Sequence, residues 1–254
     1  MSDPFSLAGK TAIVTGAGKK TGLCFGMAKA LRDAGAKIVL WDVLPGVHAL
    51  CDELGGSEAG YHPVQADLRD YQAIERGFAQ AEALLGGRVD ILLNGAGLQH
   101  RCDAVDFPQD KWELILDINL NAVFYLSQVA ARHMIKLGGG RIINIASMTS
   151  YVASRRISAY AASKGAVMQL TKALSNEWSS QGVNVNAIAP GYMDTELTAN
   201  MIDTELGRMH TARIPMGRWG KPGDLGGAVV FLASPASGYI SGAIIPVDGG
   251  YLGA

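Results

Sequence analysis

Tyr160 and Lys164 stand four positions apart. On a helix, residues at i and i+4 share one face, so both side chains would point the same way. A phenol ionises with a pKa of about 10, too high for a proton shuttle at neutral pH. An ammonium about 4 Å away, at an effective dielectric of about 20, contributes roughly 4 kcal/mol. That is worth about three pKa units. The pair is therefore expected to bring the tyrosine near the working pH, as general acid–base chemistry requires. Ser147 lies thirteen residues upstream, directly after an apolar run, where its hydroxyl could hydrogen-bond a reacting carbonyl oxygen. A solvated Tyr–Lys pair with an unrelated serine would read the same way, so the motif needs company.

A second constellation supplies it. Thr15-Gly16-Ala17-Gly18-Lys19-Lys20-Thr21-Gly22-Leu23-Cys24 follows an apolar run. Glycines in such a loop let backbone N–H groups approach a pyrophosphate at a helix N-terminus. The next apolar run ends Val39-Leu40-Trp41-Asp42, with its acid twenty residues after Gly22. An acid there accepts hydrogen bonds from an adenosine ribose and repels a 2′-phosphate, which favours NAD over NADP. Asp67-Leu68 and Asn94-Gly95-Ala96-Gly97 end two further runs. Small residues at these tips permit flat packing on an adenine or ribose, although Asn-Gly is also an ordinary tight turn.

These residues need a frame that puts strand tips side by side. Short, β-branched runs at Thr11–Thr15, Lys37–Trp41, His62–Ala66, Asp90–Asn94, Arg141–Ala146, Val183–Ile188 and Ala243–Val247 read as strands. Many lack polar alternation, as strands buried on both faces of a parallel sheet do. Helical stretches at 23–34, 46–54, 70–85, 109–136, 158–181 and 222–233 alternate with them. Alternation implies right-handed crossovers, hence an α/β doubly wound sheet in one domain over 1–254. Pro246 marks the last strand as an edge, where a missing N–H costs little. Residues 192–220 break the rhythm and are expected to be an irregular insertion over a ligand. Ligands of open α/β sheets bind beyond the carboxyl ends of the strands, where all the motifs above fall.

In this order the glycine loop, the Asn-Gly-Ala-Gly turn, Ser147, Tyr160 and Lys164 resemble the short-chain dehydrogenase/reductase family. Leu7-Ala8-Gly9-Lys10, Asp117-Ile118-Asn119, Asn186-Ala187-Ile188-Ala189-Pro190-Gly191 and Val247-Asp248-Gly249-Gly250 extend the resemblance over essentially the whole chain. It implies a Rossmann fold with a seven-stranded parallel sheet in the order 3-2-1-4-5-6-7, and a homotetramer. It implies hydride transfer between a nicotinamide cofactor and a secondary alcohol or ketone, with Asn119, Ser147, Tyr160 and Lys164 as the catalytic set. Tyr160 would be the acid/base, Lys164 would also bind the nicotinamide ribose, and Asn119 would hold the water of a proton relay. Gly16, Gly18, Lys20, Thr21, Gly22, Leu23, Asp42, Asp67, Leu68, Asn94, Gly95 and Ala96 would line the dinucleotide. Past Pro190 and Gly191, Met193 and Thr195 would meet the carboxamide and phosphates.

Two departures stand out. The family loop is Thr-Gly-x-x-x-Gly-x-Gly, and read without a gap it places Lys20 at the middle glycine. The family's last glycine precedes the strand-two acid by about eighteen residues, and here Cys24 holds that spacing to Asp42. The preferred alignment makes Gly22 the middle glycine, puts Cys24 in place of the last, and leaves the loop two residues longer. Lys19 and Lys20 would then either meet phosphates or be solvated. Gly95 replaces the family's second asparagine.

Segments 98–103, 148–158 and 192–220 should line the substrate pocket, with Gln99, Arg101, Arg156, Tyr192 and Trp219 joining Ser147 and Tyr160. Arginines near a reacting carbonyl suit a carboxylate through paired hydrogen bonds. Leu98 to Phe107, Asn176-Glu177-Trp178 and Arg213 to Gly220 resemble the family's sugar-acid branch, gluconate and 2-dehydro-3-deoxy-gluconate 5-dehydrogenases. Polyol and ketose dehydrogenases are the nearest alternative.

The overall composition narrows the rest. With 22 basic and 23 acidic residues the net charge is −1, which argues against nucleic-acid and electrostatic membrane partners. Three cysteines without a CxxC exclude a disulfide scaffold and a cysteine-rich zinc site, and the five histidines are scattered, so no metal is expected. No leader pattern opens the chain and no uninterrupted apolar run approaches a membrane span, so a cytoplasmic home is expected. No GxSxG surrounds Ser147, which argues against a serine hydrolase. A dinucleotide sensor without catalysis would share the fold.

Overall fold

In a computed structural model covering residues 3–196 and 198–254, one parallel sheet of seven strands carries the chain. The strands are β1 (Thr11–Thr15), β2 (Lys37–Asp42), β3 (Tyr61–Gln65), β4 (Ile91–Asn94), β5 (Gly140–Ile145), β6 (Val183–Pro190) and β7 (Ile244–Val247). Their order is β3-β2-β1-β4-β5-β6-β7, as the resemblance implied. Ile13 pairs with Val39 on one side and Leu92 on the other, which fixes the register at the centre. Pro63 and Pro246 fall on the two edge strands, where no ladder bond is lost.

The apolar runs are buried because both faces of the sheet are covered. Alternate residues of β1 show this: Ala12 and Val14 face one layer, Ile13 the other. The first layer holds α1 (Leu23–Asp33), α2 (Gly46–Glu53) and, later in the chain, Val229 and Leu232 of a helix at Gly226–Ala233. The second holds α3 (Tyr71–Leu84), α4 (Gln109–Leu116), α5 (Ala122–Lys136) and α6 (Ser158–Trp178), with Ile74, Phe78, Leu126, Met134 and Leu174 inward. Trp41 is fully buried there because Gly77 leaves it room; a Cβ at Gly77 would stand 2.4 Å from its ring.

Two elements differ from the sequence reading. The 109–136 helix is interrupted by a π turn at Asp117–Asn121. By length and composition Gln109–Lys136 could also cross a membrane, which the count of uninterrupted apolar residues did not reveal. Here the apolar face of α5 packs on the sheet instead. The 192–220 insertion is not irregular: it holds two short helices, α7 (Ala199–Ile202) and α8 (Glu205–Ala212), before α9 (Gly226–Ala233). Its two legs are zipped at the root, where Asp194 N–H donates to the Gly220 carbonyl (2.7 Å) and Gly220 N–H to the Tyr192 carbonyl (2.9 Å). Pattern alone misses such a closure because its two legs are more than twenty residues apart.

The strand order reverses between β1 and β4, and the crevice beyond the carboxyl ends of these strands is where such folds bind ligands.

Candidate active site

The first turns of α6 carry Tyr160 and Lys164, and the tip of β5 carries Ser147. Lys164 is buried, and its ammonium donates to the carbonyl of Ile145 at 2.6 Å. Its Nζ lies 5.7 Å from the centre of the Tyr160 ring. Ser147 Oγ accepts the Thr149 N–H at 3.1 Å, which leaves the hydroxyl proton free to donate. Asn119 sits fully buried in the π turn, an irregularity often found at functional sites. Its Oδ1 accepts from Leu98 N–H (2.8 Å), and its Nδ2 donates to the Leu98 carbonyl (2.9 Å) and to Ser163 Oγ (3.1 Å). Gly97 completes the convergence: a Cβ there would stand 3.4 Å from Asn119 Oδ1 and 3.7 Å from Lys164 Nζ. The four residues implied as catalytic thus meet at one end of the crevice. Asn119's amide braces the β4 tip against the helix, with both N–H donors committed to Leu98 and Ser163 and its oxygen accepting from Leu98.

The electrostatics correct the sequence reading. Burial pushes the Tyr160 phenol above its ordinary value, and only the Ser147 side chain, placed against it, pulls the other way. Lys164 is itself pushed down to about 8 by burial. The expected lowering of the phenol by a neighbouring ammonium is absent here. Both groups are desolvated, which disfavours both charged forms, and the ammonium is directed at the Ile145 carbonyl. In this fold Tyr160 is therefore a neutral acid at neutral pH.

The dinucleotide crevice lies beside this cluster. Gly22 caps α1 with its backbone only, and no described side chain or first-turn acid neutralises the free N–H groups of that helix. Such an end receives an anion. Gly16 has a left-handed φ of 73°, and a Cβ there would stand 2.7 Å from Ala96 Cα. Asp42 Oδ2 accepts from Gly18 N–H (2.8 Å) and Oδ1 from Leu44 N–H (3.0 Å), so the acid at the β2 tip faces the loop. Thr15 Oγ1 accepts from Gly95 and Ala96 N–H (3.0 and 3.2 Å), tying the β1 and β4 tips together. This cradle fits a dinucleotide: bare helix N–H groups for the pyrophosphate, an acid for a ribose, and glycines where a side chain would collide.

Several expected contacts are placed elsewhere. The Asn94 side chain is buried, donating to Ser127 Oγ and Asn144 Oδ1 (2.9 Å each), so only its backbone can face the crevice. Lys20 is paired with Glu53 of α2, and Thr21 is exposed beside it. Asp67 is clasped by Arg69, which holds its carboxyl below the usual range. Leu68 is buried behind it. Gly191 N–H donates to Val247 (3.0 Å), extending the β6–β7 pairing past Pro190. Met193 is buried against Gly220, and Thr195 N–H is held by Thr198 Oγ1 (3.0 Å).

At the substrate end, Cys102 N–H donates to the Arg156 carbonyl (3.0 Å), which joins loops 98–103 and 148–158. Arg156 is held at φ 67°, unusual for a residue with a side chain, and its guanidinium pairs with Asp103 (3.3 Å). Trp219 does not line an open pocket. It is buried with Met148, Ile214 and Tyr251, and its indole N–H donates to Thr211 (2.9 Å). An indole in a core position is expected to find such a partner. Tyr192 stacks on His210 at 4.3 Å, a contact missed in the sequence because histidine spacing carried no signal. Burial together with Arg101 and Arg213 lowers His210, and burial raises Tyr192. Arg101 and Gln99 are exposed at this mouth. A cavity of ≈ 380 Å³ lies behind Tyr192 and Met193, but neither Tyr160 nor Lys164 lines it.

Residues 16–252 match the family model described as enoyl-(acyl carrier protein) reductase. The chain is 45% identical to a 2-dehydro-3-deoxy-D-gluconate 5-dehydrogenase of Bacillus subtilis over 99% of this chain and 98% of that one. The chain belongs to the short-chain dehydrogenase/reductase family. A 2-dehydro-3-deoxy-D-gluconate 5-dehydrogenase of Escherichia coli is 44% identical, over 98% and 97% of the two chains. The crystal structure of a gluconate 5-dehydrogenase from Burkholderia cenocepacia, in complex with NADP and tartrate, superposes with a TM-score of 0.94 at 37% identity, covering 99% and 98%.

As a member of this family the chain is an NAD(P)-dependent oxidoreductase. Helix α1 starts at Leu23 with Gly22 as its cap.

Proposed function

We propose that this oxidoreductase interconverts a secondary alcohol and a ketone on a sugar acid, with NAD(H) as the preferred cofactor. The observation that carries the chemistry is the meeting of Ser147, Tyr160 and buried Lys164 at the end of a crevice built for a dinucleotide. When bound, the nicotinamide supplies or accepts the hydride. In reduction, neutral Tyr160 donates its proton to the oxygen that gains charge. Ser147 donates a hydrogen bond to the same oxygen. In oxidation the proton returns to ionised Tyr160. Asn119 fixes the turn that carries Gly97 through Leu98, and Lys164 is placed to reach the ribose.

The acid substrate is supported by the cationic mouth. Arg101 and Arg213 have no acidic partner among the described residues, whereas Arg156 is paired with Asp103. It is also supported by relatives named for gluconate-type substrates and by one solved with tartrate, a hydroxy acid. The NAD preference rests on Asp42 and on Lys20 being engaged by Glu53. The NADP in the Burkholderia structure points the other way and makes the cofactor assay decisive. A homotetramer in the cytoplasm is carried over from the family, and Trp112 and Tyr125 stand exposed along α4–α5 as the helix face it would use.

The test is a screen of 2-dehydro-3-deoxy-gluconate, 5-ketogluconate, galactitol and simple ketoses, each with NAD(H) and NADP(H). The acids should be turned over with kcat/KM at least ~10-fold above the neutral compounds, as one charge-assisted hydrogen bond allows. Equal or better turnover of the neutral polyols would refute the acid assignment.

A further inference from the structure

Cys24, in the first turn of α1, is buried, and its thiol donates to the Gly95 carbonyl at 3.2 Å. A Cβ at Gly95 would stand 2.4 Å from that sulfur and 2.9 Å from the Thr15 carbonyl oxygen, so residue 95 has no room for a side chain. The Gly95–Gly97 turn is suspended between two supports: Thr15 Oγ1 on one side and the thiol on the other. Two residues further on, a Cβ at Gly97 would stand 3.4 Å from Asn119 Oδ1 and 3.7 Å from Lys164 Nζ, and Leu98 N–H is bonded to Asn119. Two apparently separate departures from the family pattern are therefore one. A side chain is missing at position 95 and present at position 24, filling the same gap from the opposite wall. The thiol acts by its bulk, because burial pushes its pKa up to about 12 and keeps it neutral.

We propose that Cys24 and Gly95 form one steric unit that sets the height of the β4-tip turn under the dinucleotide, making Cys24 a positioning residue for the dinucleotide. This rests on the dinucleotide reading above.

The test is a double-mutant cycle on the full chain, with NADH and NADPH titrated by fluorescence and with kcat and KM for the dinucleotide measured separately. Contacting residues couple strongly enough that Gly95→Ala should weaken dinucleotide binding by about tenfold or more, and Cys24→Gly with Gly95→Ala should recover part of it, the Thr15 carbonyl contact remaining. The loss should appear in dinucleotide KM more than in kcat. Cys24→Ser, nearly isosteric, should bind within about twofold of the parent, while Cys24→Val, larger in the same gap, should not. Additive effects in the cycle would overturn the proposal. So would a lowered thermal midpoint in Gly95→Ala with unchanged dinucleotide affinity. If Gly95→Ala does not fold, the serine and valine pair decides: equal affinity in both overturns it. A parent protein that binds neither NADH nor NADPH refutes the dinucleotide reading itself, a result separate from an additive cycle.

Discussion

Replacing Lys164 by methionine should stabilise the protein while abolishing its activity. The lysine is buried and its pKa falls from the ordinary 10.5 to about 8. At about 1.36 kcal/mol per pKa unit, holding that charge in the fold costs about 3 kcal/mol. Because the folded value is depressed, the unfolded chain binds more protons between pH 8 and 10.5, and parent stability rises with pH through that window. Methionine removes the cost but orphans the Ile145 carbonyl, now bonded at 2.6 Å. That loss is about 1–3 kcal/mol and does not depend on pH. At pH 7 the variant should therefore unfold at higher denaturant, by about 1 kcal/mol or about 2–4 °C. Near pH 10.5 the parent no longer carries the charge, and the order should reverse. The change in their difference, about 3 kcal/mol, isolates this one group, since every other titrating residue is common to both. Urea unfolding of parent and variant at pH 7, 9 and 10.5 measures it. Parallel stability curves would refute the argument that Lys164 is a strained cation. Turnover by the variant within tenfold of the parent would refute its place in the site.

Tyr160→Phe should lose at least ~10²-fold in kcat while retaining dinucleotide affinity, because it removes the proton donor and little volume. The raised phenol pKa implies that reduction holds its rate toward neutral pH and falls on alkalinisation, whereas oxidation climbs with pH; stopped-flow rates in both directions check this. Asp42→Ala should shift the kcat/KM ratio toward NADP(H) by removing like-charge repulsion, and should loosen the Gly18 turn that the carboxylate holds at 2.8 Å. Trp219→Phe should lower the thermal midpoint while leaving substrate KM near that of the parent, because the indole serves Thr211 rather than substrate. A large KM change without a stability change would reverse that assignment.

Much of this molecule was legible before any coordinates. The strand positions fell within a few residues of those observed, because burial on both faces leaves continuous β-branched runs such as Thr11–Thr15. Pro246 located an edge strand for a covalent reason, its missing N–H. Residue type does not tell which way a side chain faces: that of Asn94 bonds Ser127 and Asn144, and that of Trp219 bonds Thr211.

Local sequence determined which residues lie at strand tips and on shared helix faces, since both follow from periodicities of two and 3.6 residues. That was enough to assemble Ser147, Tyr160 and Lys164 with a glycine-lined crevice. Tertiary packing alone decided their charge states, because desolvation depends on neighbours distant in the chain. It raised the phenol and lowered the amine where proximity alone predicted a lowered phenol. Packing also decided that Cys24 and Gly95, seventy-one residues apart, share one gap. No pattern along a single chain records the volume left between two elements that meet only when the sheet is built.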